Sequence, residues 1–267
     1  MSKGKYYFSK SLEKGLKILS LFKRETPALT QSNISKTLNL NMTSTYRYIN
    51  TLVELGYLEK DAKTKAIRPS LFCMALCNNL IRATDRLRLI KHVVDRVHKE
   101  HNISIEVAFT VDDTIMRIYS RQAEETLTYS LPDSSKDCLH NTALGKAYLA
   151  WLPTGKMEAK VARMALTART DNTICDKRVL LSELKTVRRQ RYAMAVEEYL
   201  PGLIAIGAPL FDHVNRVCVG AVSFDFSILQ HSAEDIRAKY ADKVIEVAET
   251  LSELLPADHG NGLRKGR

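Results

Sequence analysis

Apolar residues recur at helical spacing in Ser11–Leu21 (SLEKGLKILSL), at Leu12, Leu16 and Leu19, which predicts a first helix ended by Thr26-Pro27. Thr30 is placed to cap a second helix running through Ile34 and Leu38. Asn39-Leu40-Asn41 then makes a tight polar turn, and a third helix runs from about Met42 to Leu55, where Gly56 stops it. Two short amphipathic helices about a tight turn form a helix-turn-helix pattern, which presents its second helix to the major groove of DNA.

Stepping about 100° per residue along the third helix separates its faces. Thr45, Ile49, Leu52 and Gly56 fall on the packing side, flanked by Tyr48 and Val53. Thr43, Arg47, Asn50 and Glu54 fall opposite, with Tyr46 at the edge and Ser44 near the start. Small hydroxyls, an Asn and an Arg are side chains that reach base edges and phosphates. Gln31 and Ser32, at the head of the second helix, complete the candidate DNA-facing set on the helices. Beyond Gly56, two short extended pieces around Asp61–Thr64 predict a hairpin wing tipped by Lys63 and Lys65 and followed by Arg68. Such a wing lies along phosphates and adds affinity more than sequence choice.

Leu71–Ala83 is apolar nearly all round, so a joining helix there needs a partner for its surface and points to dimerisation. Asp85–Glu100 reads as an amphipathic helix. Two β-type runs, Ile103–Val111 and Thr114–Ser120, follow around Asp112-Asp113. Thr142–Leu152 and Lys177–Gln190 read as helices; Tyr192–Tyr199, Leu203–Phe211 and Arg216–Phe226 read as strands; Ala233–Leu255 closes as a long helix. Hairpin-like strands flanked by helices predict an α+β class with an antiparallel sheet. The domains expected are residues 1–70 (winged helix-turn-helix), 71–84 (linker helix), 85–256 (sensor domain) and 257–267 (a polar, disordered tail).

Charge strengthens the first of these assignments. Of a net +10, residues 1–70 hold 13 basic against 5 acidic side chains, or +8 in about a quarter of the chain. A basic excess on one segment is the footprint of a polyanion binder. No apolar run reaches the ~20 residues of a membrane span and the N-terminus has no signal-type apolar core, so the expected location is cytoplasmic, with no membrane partner. The five cysteines are scattered without metal-ligand spacing, so neither a metal site nor a disulfide is expected.

Candidate chemistry adds little to a binding function. Glu197-Glu198 sit at a strand end, where neighbours face opposite ways, so a salt-bridged role outweighs acid–base work. Gly145-Lys146 lacks a phosphate-loop context, and no GxSxG or HExxH occurs. His140 precedes the helix near Thr142 and is placed at a pocket mouth, to cap or to hydrogen-bond a ligand. No catalytic residue, cofactor or metal is expected.

The segments SLEKGLKILSLF, ISKTLNLNMTSTYRYINTLVELGYLEKD, LHNTALGKAYLAWL and RYAMAVEEYLPGLIAIGAPLFD, in order over residues 9–255, resemble the IclR family of bacterial transcriptional regulators. The resemblance implies a winged helix-turn-helix domain and a GAF-like α/β effector-binding domain, homodimers often paired into tetramers, and palindromic operators on double-stranded DNA. It also implies effector-pocket positions: Ala143 and Leu144, Ala195, Leu203, Ala205 and, across a one-residue gap, Ser223 and Asp225. The chain departs from the family pattern at Ile67-Arg68-Pro69-Ser70, where the wing exits, and at Ala195 and Ala205, which replace polar groups. A more apolar pocket favours a larger, aromatic or hydrophobic carboxylate. The function expected is a DNA-binding regulator controlled by a small-molecule effector, an organic acid. Its rivals are an effector-independent nucleic-acid-binding protein and an enzyme acting in the same pocket.

Overall fold

The computed structural model describes residues 7–22, 26–83, 85–111, 114–124, 134–135 and 138–255, divided into two units at Asp85/Arg86. In the first unit, α1 (Lys10–Leu19), α2 (Gln31–Thr37) and α3 (Met42–Glu54) each begin at a polar cap. Ser9, Thr30 and Asn41 accept the amides of Leu12, Asn33 and Ser44, which satisfies one otherwise unpaired donor per helix. The turn between α2 and α3 is held by Ser35 Oγ donating to the Leu40 carbonyl at 2.6 Å, and Asn39 adopts φ of 49°, a left-handed conformation Asn tolerates. Strands β1 (Leu58–Lys60) and β2 (Ile67–Pro69) pair antiparallel, with Leu29 bridging Ile67. Ile18, Ile34, Ile49, Leu52, Leu58 and Ile67 form the core, so one apolar residue from almost every element meets the others.

One expectation of the periodicity is redistributed. Within this chain α1 buries Ile18, while Leu12 and Leu16 remain exposed beside Tyr7 and Phe8. Helix α4 (Leu71–Arg82) likewise exposes Leu71, Phe72, Met74 and Leu80. Among its contacts, the Phe72 ring meets Tyr57 at a centroid distance of 5.3 Å.

The second unit is built on a six-stranded sheet of order β5-β4-β3-β8-β7-β6, with antiparallel neighbours throughout. Its strands are β3 (Ser104–Val111), β4 (Thr114–Arg121), β5 (Ser134–Ser135), β6 (Ala193–Val196), β7 (Leu203–Asp212) and β8 (Val217–Ser227). The two sheet faces differ in composition because residues alternate across a strand. Ile105, Val107, Ile204, Ile206, Val222, Phe224 and Phe226 pack with α5 (Asp85–His101) and α9 (Ala233–Glu253) into the main core. The other face carries small and polar side chains, and α6 (Ala143–Ala150) lies over it, backed by α7 (Thr154–Arg163) and α8 (Lys177–Gln190). Two glycines permit that approach. A Cβ on Gly145 would meet the Leu139 backbone at 2.4 Å, and one on Gly207 would meet the carbonyl carbon of Ala143 at 3.2 Å.

The α+β class and the order of elements agree with the sequence expectation; three details differ. The strand expected to reach Tyr199 ends at Val196, because Glu197 turns left-handed at φ 53° and its carboxylate accepts the Gly202 amide at 2.8 Å. Helix α7 was not expected, since only Met157 and Val161 of its ten residues are buried and its Pro153 cap offers no side-chain hydrogen bond. Strand β5, two residues long, carries no periodic signal. The expected turn at Asp112-Asp113 and the expected disordered tail lie outside the described residues.

Candidate functional site

The outer face of α3 is built from its inner one. Burying Thr45, Ile49 and Leu52 turns Thr43, Tyr46 and Arg47 outward, with Ser44 and Asn50 half-buried at the margins. Gln31 Nε2 donates to the Met42 carbonyl at 3.1 Å and so joins the head of α2 to the first turn of α3; Ser32 beside it is exposed. At the wing, Asp61 Oδ1 accepts the amides of Lys63 (2.9 Å) and Thr64 (2.6 Å). The hydrogen bonds from Thr64, then the Lys63 amide, hold the Asp61 carboxyl below its ordinary range, so the tip stays ordered and charged on both sides of neutrality. Lys63, Lys65 and Arg68 are exposed there, although Lys65 Nζ also donates to the Ala62 carbonyl at 2.7 Å. Lys60 Nζ stands 5.6 Å from the Tyr46 ring centroid, a cation–π contact linking β1 to the edge of α3. All ten candidate DNA contacts therefore lie on exposed or half-buried positions of one unit.

The second unit holds a cavity where α6 meets the polar sheet face, with about 270 Å³ of empty space counting its open side. Seven sequence-predicted residues line it: Ala143, Leu144, Ala195, Leu203, Ala205, Ser223 and Asp225. Register explains their meeting, because Ala195 pairs with Ala205 and Ala205 pairs with Asp225 across three adjacent strands. His140, expected at the mouth, is a correction. Its ring is fully buried and its Nε2 lies 3.2 Å from the Thr167 carbonyl, so it stands behind the lining in the turn on which Gly145 packs.

Three lining residues were missed: Asn141, Thr142 and Tyr199. Thr142 caps α6 by accepting the Gly145 amide at 3.1 Å, a role its position before ALGKA could have shown. The amides of Ala143 and Leu144 come before the first intrahelical acceptor is available, so the cavity faces the positive end of a helix. Asn141 is fully buried, and neither its Oδ1 nor its Nδ2 has a hydrogen-bond partner. The Arg169 guanidinium covers Tyr199 at 4.6 Å from the ring centroid, and burial pushes the phenol up to about 12. Thr170 and Thr173 Oγ1 donate to the carbonyls of Glu197 (2.5 Å) and Glu198 (2.7 Å), fastening the 170–173 segment to the turn after β6.

Acidic groups set the electrostatics. Asp225 is half-buried on β8, and Ser223 Oγ lies 3.3 Å from its Oδ1. Burial raises the Asp225 carboxyl well above its ordinary range; Glu106 pushes the same way, while Ser223 and Arg117 oppose. Glu106, opposite Ser223 on β3, is paired with Arg117 Nη1 at 2.8 Å. Behind the lining, Lys146 is 1 % exposed, with Nζ 2.5 Å from Glu198 and 3.8 Å from Glu183. That contact gives Glu198 the salt-bridged role expected of the Glu197-Glu198 pair, although the strand alternation invoked for it stops at Val196. Burial still raises the Glu198 carboxyl despite the opposing charge of Lys146. Among the described residues no group of His, Cys, Asp and Glu could hold a metal, and no helix is long and apolar enough to cross a membrane.

A basic helix-turn-helix unit joined in one chain to an α+β unit with an internal cavity defines a class: the transcriptional regulators that carry a sensor domain. Residues 11–62 match the IclR helix-turn-helix domain, and residues 79–253 match the bacterial transcriptional regulator IclR C-terminal domain. The chain belongs to the IclR family and is a transcriptional regulator of that type. It is 26% identical over 245 residues to the HTH-type transcriptional regulator BhcR of Paracoccus denitrificans, covering 91% of this chain and 86% of the relative. With the Pca regulon regulatory protein of Pseudomonas putida it shares 24% identity over 212 residues, 79% of this chain and 72% of the relative. An IclR regulator structure from Alicyclobacillus acidocaldarius matches with a TM-score of 0.82 at 20% identity, over 93% of this chain and 99% of that one. An IclR homolog from Microbacterium hydrocarbonoxydans complexed with 4-hydroxybenzoate matches with a TM-score of 0.72 at 19% identity, over 92% and 98% of the two chains. Both structures share the fold.

Proposed function

We propose that this regulator binds operator DNA as a dimer through α3 and its wing, and that a small organic acid bound at the head of α6 changes its operator affinity. The observation that carries the effector half is the conjunction at the cavity of a helix N-terminus with an unpartnered, fully buried Asn141. Both present hydrogen-bond donors to an anion. A homolog of the same fold is complexed with an organic acid, 4-hydroxybenzoate, which supports the ligand class.

Dimerisation is supported by the uncovered apolar faces. Phe8, Leu12 and Leu16 around α1, and Leu71, Met74 and Leu80 on α4, are exposed in a single chain. A patch of that kind calls for a protein partner, and a second copy supplies two recognition helices for a palindromic site.

Titrating labelled operator with the full-length chain, with and without a panel of carboxylic acids, tests both halves. One acid should shift operator affinity at least fivefold, and operator should shift that acid's affinity by the same factor. Equal affinity for any duplex, or indifference to every acid, would remove the corresponding half.

A further inference from the structure

The polar groups around the cavity are sorted by kind. At the α6 end stand donors: the Ala143 and Leu144 amides and the Asn141 side chain. On the sheet stand acceptors, Ser223 and Asp225. Between them the walls are short and apolar, with Ala195, Ala205 and Leu203. Among the described residues that line the cavity there is no lysine or arginine.

Resting on the acid-binding reading above, we propose that the effector is a small ammonium-bearing carboxylate of the α-amino-acid type, with its carboxylate at Asn141 and the α6 amides and its ammonium at Asp225. Charge complementarity decides between this and a plain acid. Glu106 already has its counter-ion in Arg117 at 2.8 Å, whereas the hydrogen bond to Asp225 comes from a neutral hydroxyl, Ser223, at 3.3 Å. A plain acid brings no counter-ion for Asp225. A zwitterion adds no net charge and gives each end of the cavity a group of opposite character.

Proton release follows from the same geometry. Burial raises the Asp225 carboxyl and so favours its neutral form, whereas an arriving ammonium favours its ionised form. Binding of the ammonium is therefore accompanied by proton release from Asp225 to the buffer.

The test is calorimetry on the full-length chain with the standard L-amino acids, then with the desamino acid matched to the best binder, and with 4-hydroxybenzoate. The amino acid should bind at least thirtyfold tighter than its desamino partner. It should also release protons, read from buffers of different ionisation enthalpy. Asp225→Asn should bring the pair within about threefold, and Asn141→Ala should weaken both alike. A desamino acid or 4-hydroxybenzoate that binds as tightly as any amino acid would overturn the ammonium assignment and leave the acid-site reading standing. So would an amino-acid preference that survives Asp225→Asn. Binding by neither set would overturn both readings.

Discussion

The two units place their candidate functional groups on opposite sides of the burial boundary. On α3, Thr43, Tyr46 and Arg47 face outward and the core runs beneath them through Ile49 and Leu52. In the cavity, Asn141 and Ser223 are buried and Asp225 is half-buried, and the buried Lys146–Glu198 pair stands behind. Function on an exposed face is separable from stability; function inside a packed unit is not. Substitutions on α3 should therefore change recognition at constant melting temperature, whereas substitutions around the cavity should change both.

The strongest challenge to that contrast is Lys146→Met. It leaves Glu198 buried without its partner at 2.5 Å, and losing one member of a buried pair costs about 3–5 kcal/mol. The lower end is expected, because burial already favours the neutral form of Glu198, which then takes up a proton. Urea denaturation of the full chain measures the loss, and adding Glu198→Leu should recover most of it. A single variant as stable as the parent would show that the pair contributes nothing.

Recognition comes next in size. Arg47→Ala should cost about 1–3 kcal/mol on the operator and relax the preference for one base pair, with stability changed by less than about 0.5 kcal/mol. A uniform loss across all duplexes would make Arg47 a phosphate contact instead. Removing Lys63 and Lys65 together should lower affinity for every duplex alike. It should also reduce the slope of log K against log salt by about 1.8, at about 0.9 per phosphate contact. An unchanged slope would take the wing off the phosphates.

The same contrast governs what was legible in the chain. Periodicity exposed the faces of α3, because a packed surface and a solvated one differ in residue type at every turn. It could not tell which partner covers an apolar stripe, so Leu12 and Leu16 read like Leu19, although of these three only Leu19 packs on the core within the chain. The cavity's alanines and Ser223 and Asp225 came from family resemblance, because small residues on adjacent strands leave no periodic trace. Asn141 and Tyr199 were illegible for another reason. Each follows a tight turn whose geometry depends on distant contacts: Gly145 against Leu139, and Glu197 against Gly202. Helix α7 escaped because two buried residues in ten make too weak a stripe.

The smallest expected effect probes the buried side of the contrast through pH. Burial raises the folded-state pKa of Asp225 above its unfolded value, so between those two values the native chain holds more protons than the unfolded one. Stability contributed by this group is therefore fully present below the unfolded carboxylate range and declines as pH rises through the folded pKa. No more than about 1.4 kcal/mol per pH unit can come from a single proton. Glu198 is raised by burial too and slopes the same way, so the informative quantity is a difference. Parent and Asp225→Asn should diverge steadily from pH 4 upward, the parent losing stability more steeply than the variant. Parallel curves would mean that Asp225 is solvated like an ordinary surface carboxylate, and the contrast between an exposed recognition face and a buried sensing site would then fail at the residue where it is drawn most sharply.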